Sequence, residues 1–247
     1  MTQLVTPHEL VDLLQPVLEH GLIGFDVDGV LAPIVDHADQ AQLSAGVAES
    51  LTSLSQRASV MILSGRSLES LGRLFDFAPQ LRVVGSHGLE VRGASPIALD
   101  DREQTIYDQL RFLGEKAVEA VGRGGWLEFK PASVVVHTRK ADDEVVQPTI
   151  EALENLASMI EGSHVKRGHS VVELLARTAS KGDALLGFAG ETGRAPLAYL
   201  GDDLTDEDAF QQMSANDVSV RVGEGDTAAR FRLADTAAVS KLLGLLR

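Results

Sequence analysis

Short apolar runs that alternate with helix-like segments are the feature that most constrains the fold of this chain. The runs LIGF, SVMIL and LRVV, and later PLAYL and VSVRV, are each followed by a segment of helical period. This alternation is typical of strand–helix–strand units, and strands that are apolar on both faces fit a parallel sheet covered on both sides. We therefore predict an α/β fold whose core is a parallel sheet.

The pattern changes between residues 90 and 176. Two long helix-like segments each lead there into a pair of strand-like runs, WLEFK with SVVVH and HVKRG with VVELL. Pro148 lies inside the second helix-like segment and favours a later start for that helix. We predict a catalytic core of residues 1–89 and 177–247 that carries an inserted α/β cap domain, residues 90–176.

Composition narrows the functional classes. The chain of 247 residues has a formal net charge of -14 and no cysteine. An acidic surface argues against a nucleic acid or an anionic membrane as partner, and the lack of cysteine excludes disulfides and thiolate chemistry. The N-terminal segment lacks the basic region of a signal peptide, and no apolar run approaches the length of a membrane span. We expect a cytoplasmic protein, monomeric or dimeric.

Two acidic clusters stand where strands are predicted to end. Asp26 and Asp28 follow LIGF directly, and Asp202, Asp203 and Asp206 follow PLAYL. Ligands of open parallel sheets collect at the carboxyl ends of the strands, so these clusters are expected to meet at one site. A hard divalent cation would relieve their repulsion, and an all-carboxylate set favours Mg²⁺. Asp203 has an alternative role as the cap of the following helix.

Groups that suit a phosphate lie at neighbouring positions. The run SVMIL ends in Ser64, Gly65 and Arg66, and Lys181 stands at the predicted start of a helix, where the positive helix dipole also favours an anion. Acids, a hydroxyl and an ammonium around a divalent cation describe a phosphoryl-transfer site. Asp26 would be the nucleophile that forms an aspartyl-phosphate.

Asp28 would be the general acid and base of the same reaction. In an extended backbone, a spacing of two returns a side chain to the same side, so Asp28 would face the same way as Asp26. From there it could protonate the leaving oxygen and then deprotonate the hydrolytic water.

Four short motifs carry a family resemblance. DVDGV, ILSGRS, the lysine of TASKG and GDDLTDED occur in the order of motifs I to IV of the haloacid dehalogenase superfamily. More narrowly, DVDGVLAPIV, GSHGLE, SVVVHTR and LGDDLTDEDAF resemble the trehalose-6-phosphate phosphatases. This resemblance implies a Rossmann-like core with a C2-type α/β cap. It also implies Mg²⁺-dependent hydrolysis of trehalose 6-phosphate.

The resemblance also implies roles for individual residues. Ser64 and Lys181 would hold the phosphoryl group, and Asp202 would bind Mg²⁺ together with the Asp26 side chain and the Asp28 carbonyl, with Asp206 in support. Substrate contacts are expected at a further set of residues, which are Gly65, Arg66, His87, Glu90, Lys130, His137, Arg139 and Glu173.

Departures from the family pattern concern the substrate more than the chemistry. Val30 replaces a frequent threonine of motif I, with little expected effect. Thr138 replaces a frequent tyrosine and so removes an aromatic ring where the sugar is expected. Trp126, the only tryptophan, is expected to pack in the interior rather than to stack on a sugar.

Two alternative functions remain open at this stage. The same machinery could hydrolyse another sugar phosphate, such as sucrose phosphate or the phosphate of a glycosyl phosphoglycerate. The chain could instead be an inactive regulator that binds a sugar phosphate. The presence of Asp26, Asp28, Lys181 and Asp202 together argues against a pure binding protein, because binding alone does not require both a nucleophile and an acid/base.

Overall fold

The computed structural model describes residues 2–95, 97–168 and 170–247. The chain divides into two compact units, of which the first, the core unit, comprises Met1–Ala94 and Ala179–Arg247. The second unit, the insert, comprises Ser95–Thr178. None of the helices in the described part of the chain combines the length and the apolar character that crossing a bilayer requires.

The strands and helices follow one another along the chain as the apolar runs predict. The strands are β1 (Gln3–Leu4), β2 (Leu22–Phe25), β3 (Ser59–Leu63), β4 (Arg82–Gly85), β5 (Glu90–Val91), β6 (Trp126–Lys130), β7 (Ser133–His137), β8 (His164–Gly168), β9 (Val171–Leu175), β10 (Leu197–Gly201), β11 (Val218–Val222) and β12 (Phe231–Leu233). The helices are α1 (Pro7–His20), α2 (Val47–Ser55), α3 (Leu68–Leu74), α4 (Asp101–Val121), α5 (Asp143–Ser158), α6 (Lys181–Thr192), α7 (Leu204–Gln212) and α8 (Thr236–Leu245).

The core unit is built on one sheet with the strand order β1-β12-β11-β10-β2-β3-β4-β5. Its strand pairs are parallel apart from the last, between β4 and β5. Strand β2 lies between β10 and β3, with Phe25 opposite both Leu200 and Ile62. The carboxyl ends of these three strands therefore lie side by side, and the predicted parallel-sheet core is confirmed.

Helices cover both faces of this sheet. On one face, Phe25 packs with Leu14 of α1, Leu51 of α2 and Leu242 of α8. On the other face, Leu22 packs in a cluster that includes residues of α6 and α7. All four residues of β2 are buried, which explains why its sequence is apolar throughout rather than alternating.

The insert is an antiparallel sheet of order β6-β7-β9-β8 with helices on one face. Val136 of β7 and Leu174 of β9 pack with Leu110 of α4 and Leu153 of α5. The expected late start of the second helix is wrong, because α5 begins at Asp143 and runs through Pro148. Asp142 caps it by accepting a hydrogen bond from the amide of Glu144, and such a cap offsets part of the cost of an internal proline.

Candidate active site

The end of β2 places Asp26 in the interior of the core unit. Its amide extends the strand ladder by donating to the Leu200 carbonyl at 2.9 Å, and the residue is 4% exposed. The ammonium of Lys181, the first residue of α6, lies 2.9 Å from a carboxylate oxygen of Asp26. Lys181 is itself 1% exposed, so its long side chain is buried among acids rather than solvated.

Asp206 holds Lys181 from the opposite side. One of its carboxylate oxygens accepts hydrogen bonds from the Lys181 ammonium at 2.8 Å and the Tyr199 hydroxyl at 2.6 Å. The other oxygen accepts from the amides of Asp202 and Asp203, at 2.8 and 3.0 Å. Both oxygens of Asp206 are thus engaged, and the residue fixes both the lysine and the turn that precedes α7.

Asp203 caps α7, which is the alternative that the sequence left open for it. A carboxylate oxygen of Asp203 accepts from the amides of Thr205 and Asp206, at 2.8 and 3.1 Å. The side chain is 51% exposed and lies 3.9 Å from the Lys181 ammonium. Asp203 still belongs to a possible cation site, because carboxylate oxygens of Asp26, Asp203 and Asp206 lie within 4.8 Å of one another.

Asp202 lies directly against the segment that follows β2. Gly29 has a positive φ of 77°, and a Cβ atom there would lie 1.9 Å from a carboxylate oxygen of Asp202. Only glycine permits this approach, which brings the second acidic cluster beside the first. The expectation that the two clusters meet at one edge of the sheet is therefore met in the geometry of the core unit.

Burial raises the pKa values of Asp26, Asp202 and Asp206. For Asp203, burial acts in the same direction, but Lys181 and the hydrogen bonds from Thr205 and Asp206 outweigh it and lower the pKa. Burial raises the pKa of Asp26 well above its ordinary value, against the opposing effect of Lys181. Burial, with Asp206 and Asp203 nearby, raises the pKa of Asp202 to about 7. Burial alone would lower the pKa of Lys181, but Asp26, Asp206 and Asp203 together raise it above its usual range.

The charge balance of this cluster fits a divalent cation. The carboxylates of Asp26, Asp203 and Asp206 lie 2.9, 3.9 and 2.8 Å from the single ammonium of Lys181, so acids outnumber cations in this cluster. The donor atoms of this cluster are carboxylate oxygens, which suit a hard cation such as Mg²⁺. Asp26, Asp203 and Asp206 are the acids whose carboxylate oxygens come close enough together to share one ion.

Asp28 has surroundings quite unlike those of Asp26. The Arg66 guanidinium donates to both of its carboxylate oxygens, at 2.6 and 2.7 Å. A third hydrogen bond, to the Ala38 carbonyl at 2.9 Å, holds the guanidinium in place. The side chain of Asp28 is about one-third exposed, whereas Asp26 is buried. The two acids therefore differ in both partner and solvent access.

Ser64 and His87 lie together at the end of β3. Ser64 is buried, and its hydroxyl accepts a hydrogen bond from the Arg66 amide at 3.1 Å. The His87 amide donates to the Ser64 carbonyl at 2.9 Å. A Cβ atom at Gly65 would lie 2.6 Å from the His87 ring, so this glycine lets the imidazole approach the backbone of motif II. His87 and Ser86 both have positive φ, an uncommon conformation for such residues.

Glu90 connects the turn after β4 to the start of α3. Its carboxylate accepts a hydrogen bond from the Ser86 hydroxyl at 2.5 Å and from the Leu68 amide at 3.3 Å. Through these two bonds Glu90 holds the turn that presents His87.

The remaining predicted substrate residues belong to the insert. The Lys130 ammonium lies 3.2 Å from the Glu173 carboxylate, which also accepts from the Ser133 hydroxyl at 2.5 Å. His137 lies 3.0 Å from the Glu128 carboxylate. Arg139 lies just beyond β7 and is exposed. The structure thus brings Lys130 and Glu173 together and places His137 with a different acid.

The expectation that Trp126 packs in the interior is wrong. Trp126 is 51% exposed and stacks on the imidazole of His137 with ring centroids 3.7 Å apart. The physical reason is strand alternation, since Leu127 faces the helices of the insert and Trp126 therefore faces the other way.

Three residues with structural contacts at these sites are not among those predicted from the sequence: Tyr199, Glu128 and Ser133. Tyr199 could have been found because a buried phenol within the apolar strand LAYLG needs a hydrogen-bond partner. Glu128 could have been found by alternation, since Trp126, Glu128 and Lys130 share one face of β6. For Ser133, a serine opening a buried strand is too weak a signal.

The parallel sheet, with four motifs converging at its carboxyl edge, defines a member of the haloacid dehalogenase superfamily. Within that superfamily, the model of the trehalose-phosphatase family matches residues 24–237. The chain therefore belongs to the trehalose-phosphatase family, as its motifs predicted.

Individual relatives agree with this assignment. The chain is 33% identical over 238 residues to the trehalose-phosphate phosphatase of Mycobacterium marinum, a match that covers 90% of this chain and 60% of that protein. The chain thus spans about 60% of the length of this curated relative. The crystal structure of a trehalose-6-phosphate phosphatase related protein matches with 26% sequence identity and a TM-score of 0.74. The match covers 91% of this chain and 96% of the related protein's chain.

A further solved structure supports the fold alone. The C-terminal domain of Candida albicans trehalose-6-phosphate phosphatase matches with a TM-score of 0.78 at 22% sequence identity. The match covers 100% of this chain and 98% of the chain of that domain.

Proposed function

We propose that the chain hydrolyses trehalose 6-phosphate to trehalose and phosphate, with Mg²⁺ as cofactor and through an aspartyl-phosphate on Asp26. The observation that carries this proposal is the buried carboxylate of Asp26, held 2.9 Å from the Lys181 ammonium. A carboxylate oriented by an ammonium at the carboxyl end of a central strand is suited to in-line attack on phosphorus.

In the first step, Asp26 attacks phosphorus while Asp28 protonates the departing sugar oxygen. The Arg66 guanidinium occupies both carboxylate oxygens of Asp28. This pair must therefore open before Asp28 can carry the proton. In the second step, the ionised form is the one required, because Asp28 then removes a proton from the water that hydrolyses the aspartyl-phosphate.

Charge on the phosphoryl group is met by fixed positive groups. Lys181 and the Ser64 hydroxyl are proposed to hold the equatorial oxygens, and the Gly65 and Arg66 backbone closes the same side. Bound Mg²⁺ would neutralise developing charge on those oxygens. The Asp26 and Asp202 side chains and the Asp28 carbonyl are proposed to hold the ion. Asp206 and Asp203 support the site by fixing Lys181 and α7.

The sugar is proposed to contact the remaining predicted residues. These are His87 and Glu90 in the core unit, and Lys130, His137, Arg139 and Glu173 in the insert. Trehalose 6-phosphate is the substrate favoured by family membership and by the similarity to the trehalose-phosphate phosphatase of Mycobacterium marinum. A cytoplasmic location and a monomeric or dimeric state are proposed alongside, the former supported by the net charge of -14.

Two other functions are distinguishable by experiment. Another sugar phosphate could be the substrate, because specificity depends on side chains rather than on the shared core. A regulator without catalysis is the second alternative, since a family fold by itself does not establish turnover. The buried pair of Asp26 and Lys181 favours an enzyme, because it keeps a costly charged group where binding alone would not need it.

The deciding experiment measures phosphate release with and without Mg²⁺ from trehalose 6-phosphate, sucrose 6-phosphate and glucose 6-phosphate. We expect Mg²⁺-dependent release with the highest kcat/KM for trehalose 6-phosphate. A higher kcat/KM for either other ester would overturn the substrate assignment. No release from any ester in the presence of Mg²⁺ would favour the regulator.

A further inference from the structure

The insert presents an exposed tryptophan outside its apolar core. Trp126 is the only tryptophan of the chain, stands at the start of β6 and is 51% exposed. The apolar core of the insert lies on the opposite face of the sheet, where Leu127 and Val136 pack with α4 and α5. An exposed indole of this kind is more typical of a binding surface than of a stabilising core.

The indole is held in one orientation by its neighbours. Trp126 lies opposite His137 in the antiparallel register, and the two rings are 3.7 Å apart and tilted by only 2°. The other side of His137 is fixed by the Glu128 carboxylate, 3.0 Å from its Nε2 atom. Imidazole therefore covers one face of the indole, and the exposed fraction of Trp126 leaves ring surface for a ligand.

Polar groups with ordered partners lie on the same face of the sheet. Glu128 and Lys130 share the face of Trp126 on β6, and Glu173 contacts Lys130 from β9. Lys130 and Glu173 are only 10% and 13% exposed, whereas Trp126 is open. One end of this face therefore carries a mostly buried pair of charged groups, and the other end carries an accessible aromatic ring.

We propose that Trp126 determines substrate specificity by stacking on a hexopyranose ring of the sugar phosphate, with Glu128 accepting hydroxyl groups at the rim of that ring. This inference rests on the proposed function and names the part of the substrate that the site recognises. A pyranose has an apolar C–H face bordered by hydroxyls, which complements an aromatic face beside a carboxylate.

The single tryptophan allows binding to be measured without catalysis. Titration with trehalose alone, followed by tryptophan fluorescence, is expected to give a saturable change in emission, whereas sorbitol gives none. Glu128→Gln keeps the fluorophore and is expected to weaken trehalose binding about tenfold, the loss of one hydrogen bond to a charged acceptor. A saturable response to adenosine but not to trehalose would overturn the proposal, as would no response to trehalose.

Kinetics test the same residue during turnover. Trp126→Ala is expected to raise the KM for trehalose 6-phosphate about tenfold while kcat changes less than about twofold. Phe129→Ala is the matched control, because Phe129 is on the same strand and equally exposed, at 51%, but faces the other side. It should leave KM unchanged. Glycerol 3-phosphate, which lacks a ring, should show no change in KM with either variant.

The outcomes separate this inference from the proposed function. If the chain releases no phosphate but trehalose changes the fluorescence, the sugar site stands and the phosphatase assignment falls. If phosphate is released but Trp126→Ala and Phe129→Ala have equal KM values, the phosphatase assignment stands and the role of Trp126 is refuted.

Discussion

The active site of the core unit and the open face of the insert sheet both pair a lysine with acids, but they do so under different burial. Lys181 is 1% exposed and lies within 4.0 Å of three carboxylates. Lys130 is 10% exposed and is paired with Glu173, and further along its face Trp126 is half exposed. In the core unit one ammonium is shared among three carboxylates, whereas in the insert one carboxylate, Glu173, is shared between the Lys130 ammonium and the Ser133 hydroxyl.

This difference implies that the core site carries out the chemistry and the insert face contributes to substrate binding. A network in which every group has several fixed partners keeps its geometry during the reaction, and such preorganisation favours chemistry. A sheet face that carries an exposed ring can change that side chain at little cost to its neighbours. We therefore expect substitutions in the core site to change turnover or folding, and substitutions on the insert face to change substrate affinity.

The largest expected effect is on turnover. Asp26→Asn removes the nucleophile and should lower kcat by about 10⁴-fold or more. The unfolding free energy should fall less than in Lys181→Met, because the amide has the same shape and Lys181 keeps its bond to Asp206. Glu173→Gln in the insert is the matched variant and should act mainly on KM. Phosphate-release kinetics measure kcat and KM, and urea unfolding measures stability. Comparable kcat losses in the two variants would refute the assignment of chemistry to the core site and affinity to the insert face.

The next largest effect is on stability. Lys181→Met leaves Asp26 and Asp206 buried without their cation and should lower the unfolding free energy by about 3–5 kcal/mol. Lys116→Met removes an ion pair of similar length, 2.6 Å to Glu119, from the exposed surface of the insert. It should leave stability unchanged, because solvent screens that pair. Urea unfolding of both variants tests this contrast, and equal losses would contradict it.

A smaller effect concerns pH and the metal. The raised pKa of Asp202, about 7, means that a proton competes with a cation for this carboxylate. Mg²⁺ affinity should therefore fall up to about tenfold per pH unit below 7 and level off above it. The free energy of unfolding in the absence of a cation should depend on pH in the opposite direction. Because the folded state then binds an extra proton at Asp202, this free energy should fall as pH rises from about 4 to 7. Calorimetric titration with Mg²⁺ measures the affinity, and Asp202→Asn should remove its pH dependence.

The smallest effect concerns a single hydrogen bond. Tyr199→Phe removes the 2.6 Å bond from the phenol to Asp206 and should lower the unfolding free energy by about 1 kcal/mol. Asp206 keeps its bonds to Lys181 and to two amides, so kcat should change little. Tyr107→Phe, on the partly exposed surface of α4, is the control and should be neutral. A larger fall in kcat than in stability would show that Tyr199 acts in catalysis.

The sequence predicts the fold and the core motifs well because both depend on local patterns. The apolar run LIGF requires a strand buried on both faces, and two acids directly after it require a site at the strand's end. The converging ends of β2, β3 and β10 then follow from the parallel sheet, without knowledge of any side-chain contact.

The parts that could not be predicted depend on distant partners. Arg66 binds Asp28 from 38 positions away, and nothing in the letters near either residue specifies a bidentate pair. The saturation of Asp206 likewise depends on Tyr199, Lys181 and two backbone amides that only the folded turn brings together. The predicted burial of Trp126 is wrong because hydrophobicity alone favours the interior, whereas strand alternation turns this side chain away from the helices.

The central claim is that the two acids after β2 are unequal, with Asp26 forming the covalent bond and Asp28 moving protons. Borohydride reduction during turnover of trehalose 6-phosphate traps an acyl phosphate as an alcohol, and peptide mass spectrometry then locates the modified position. We predict homoserine at position 26, formed only when Mg²⁺ and substrate are both present. Modification at Asp28 or Asp202, or undiminished turnover with no modified acid, would contradict the account.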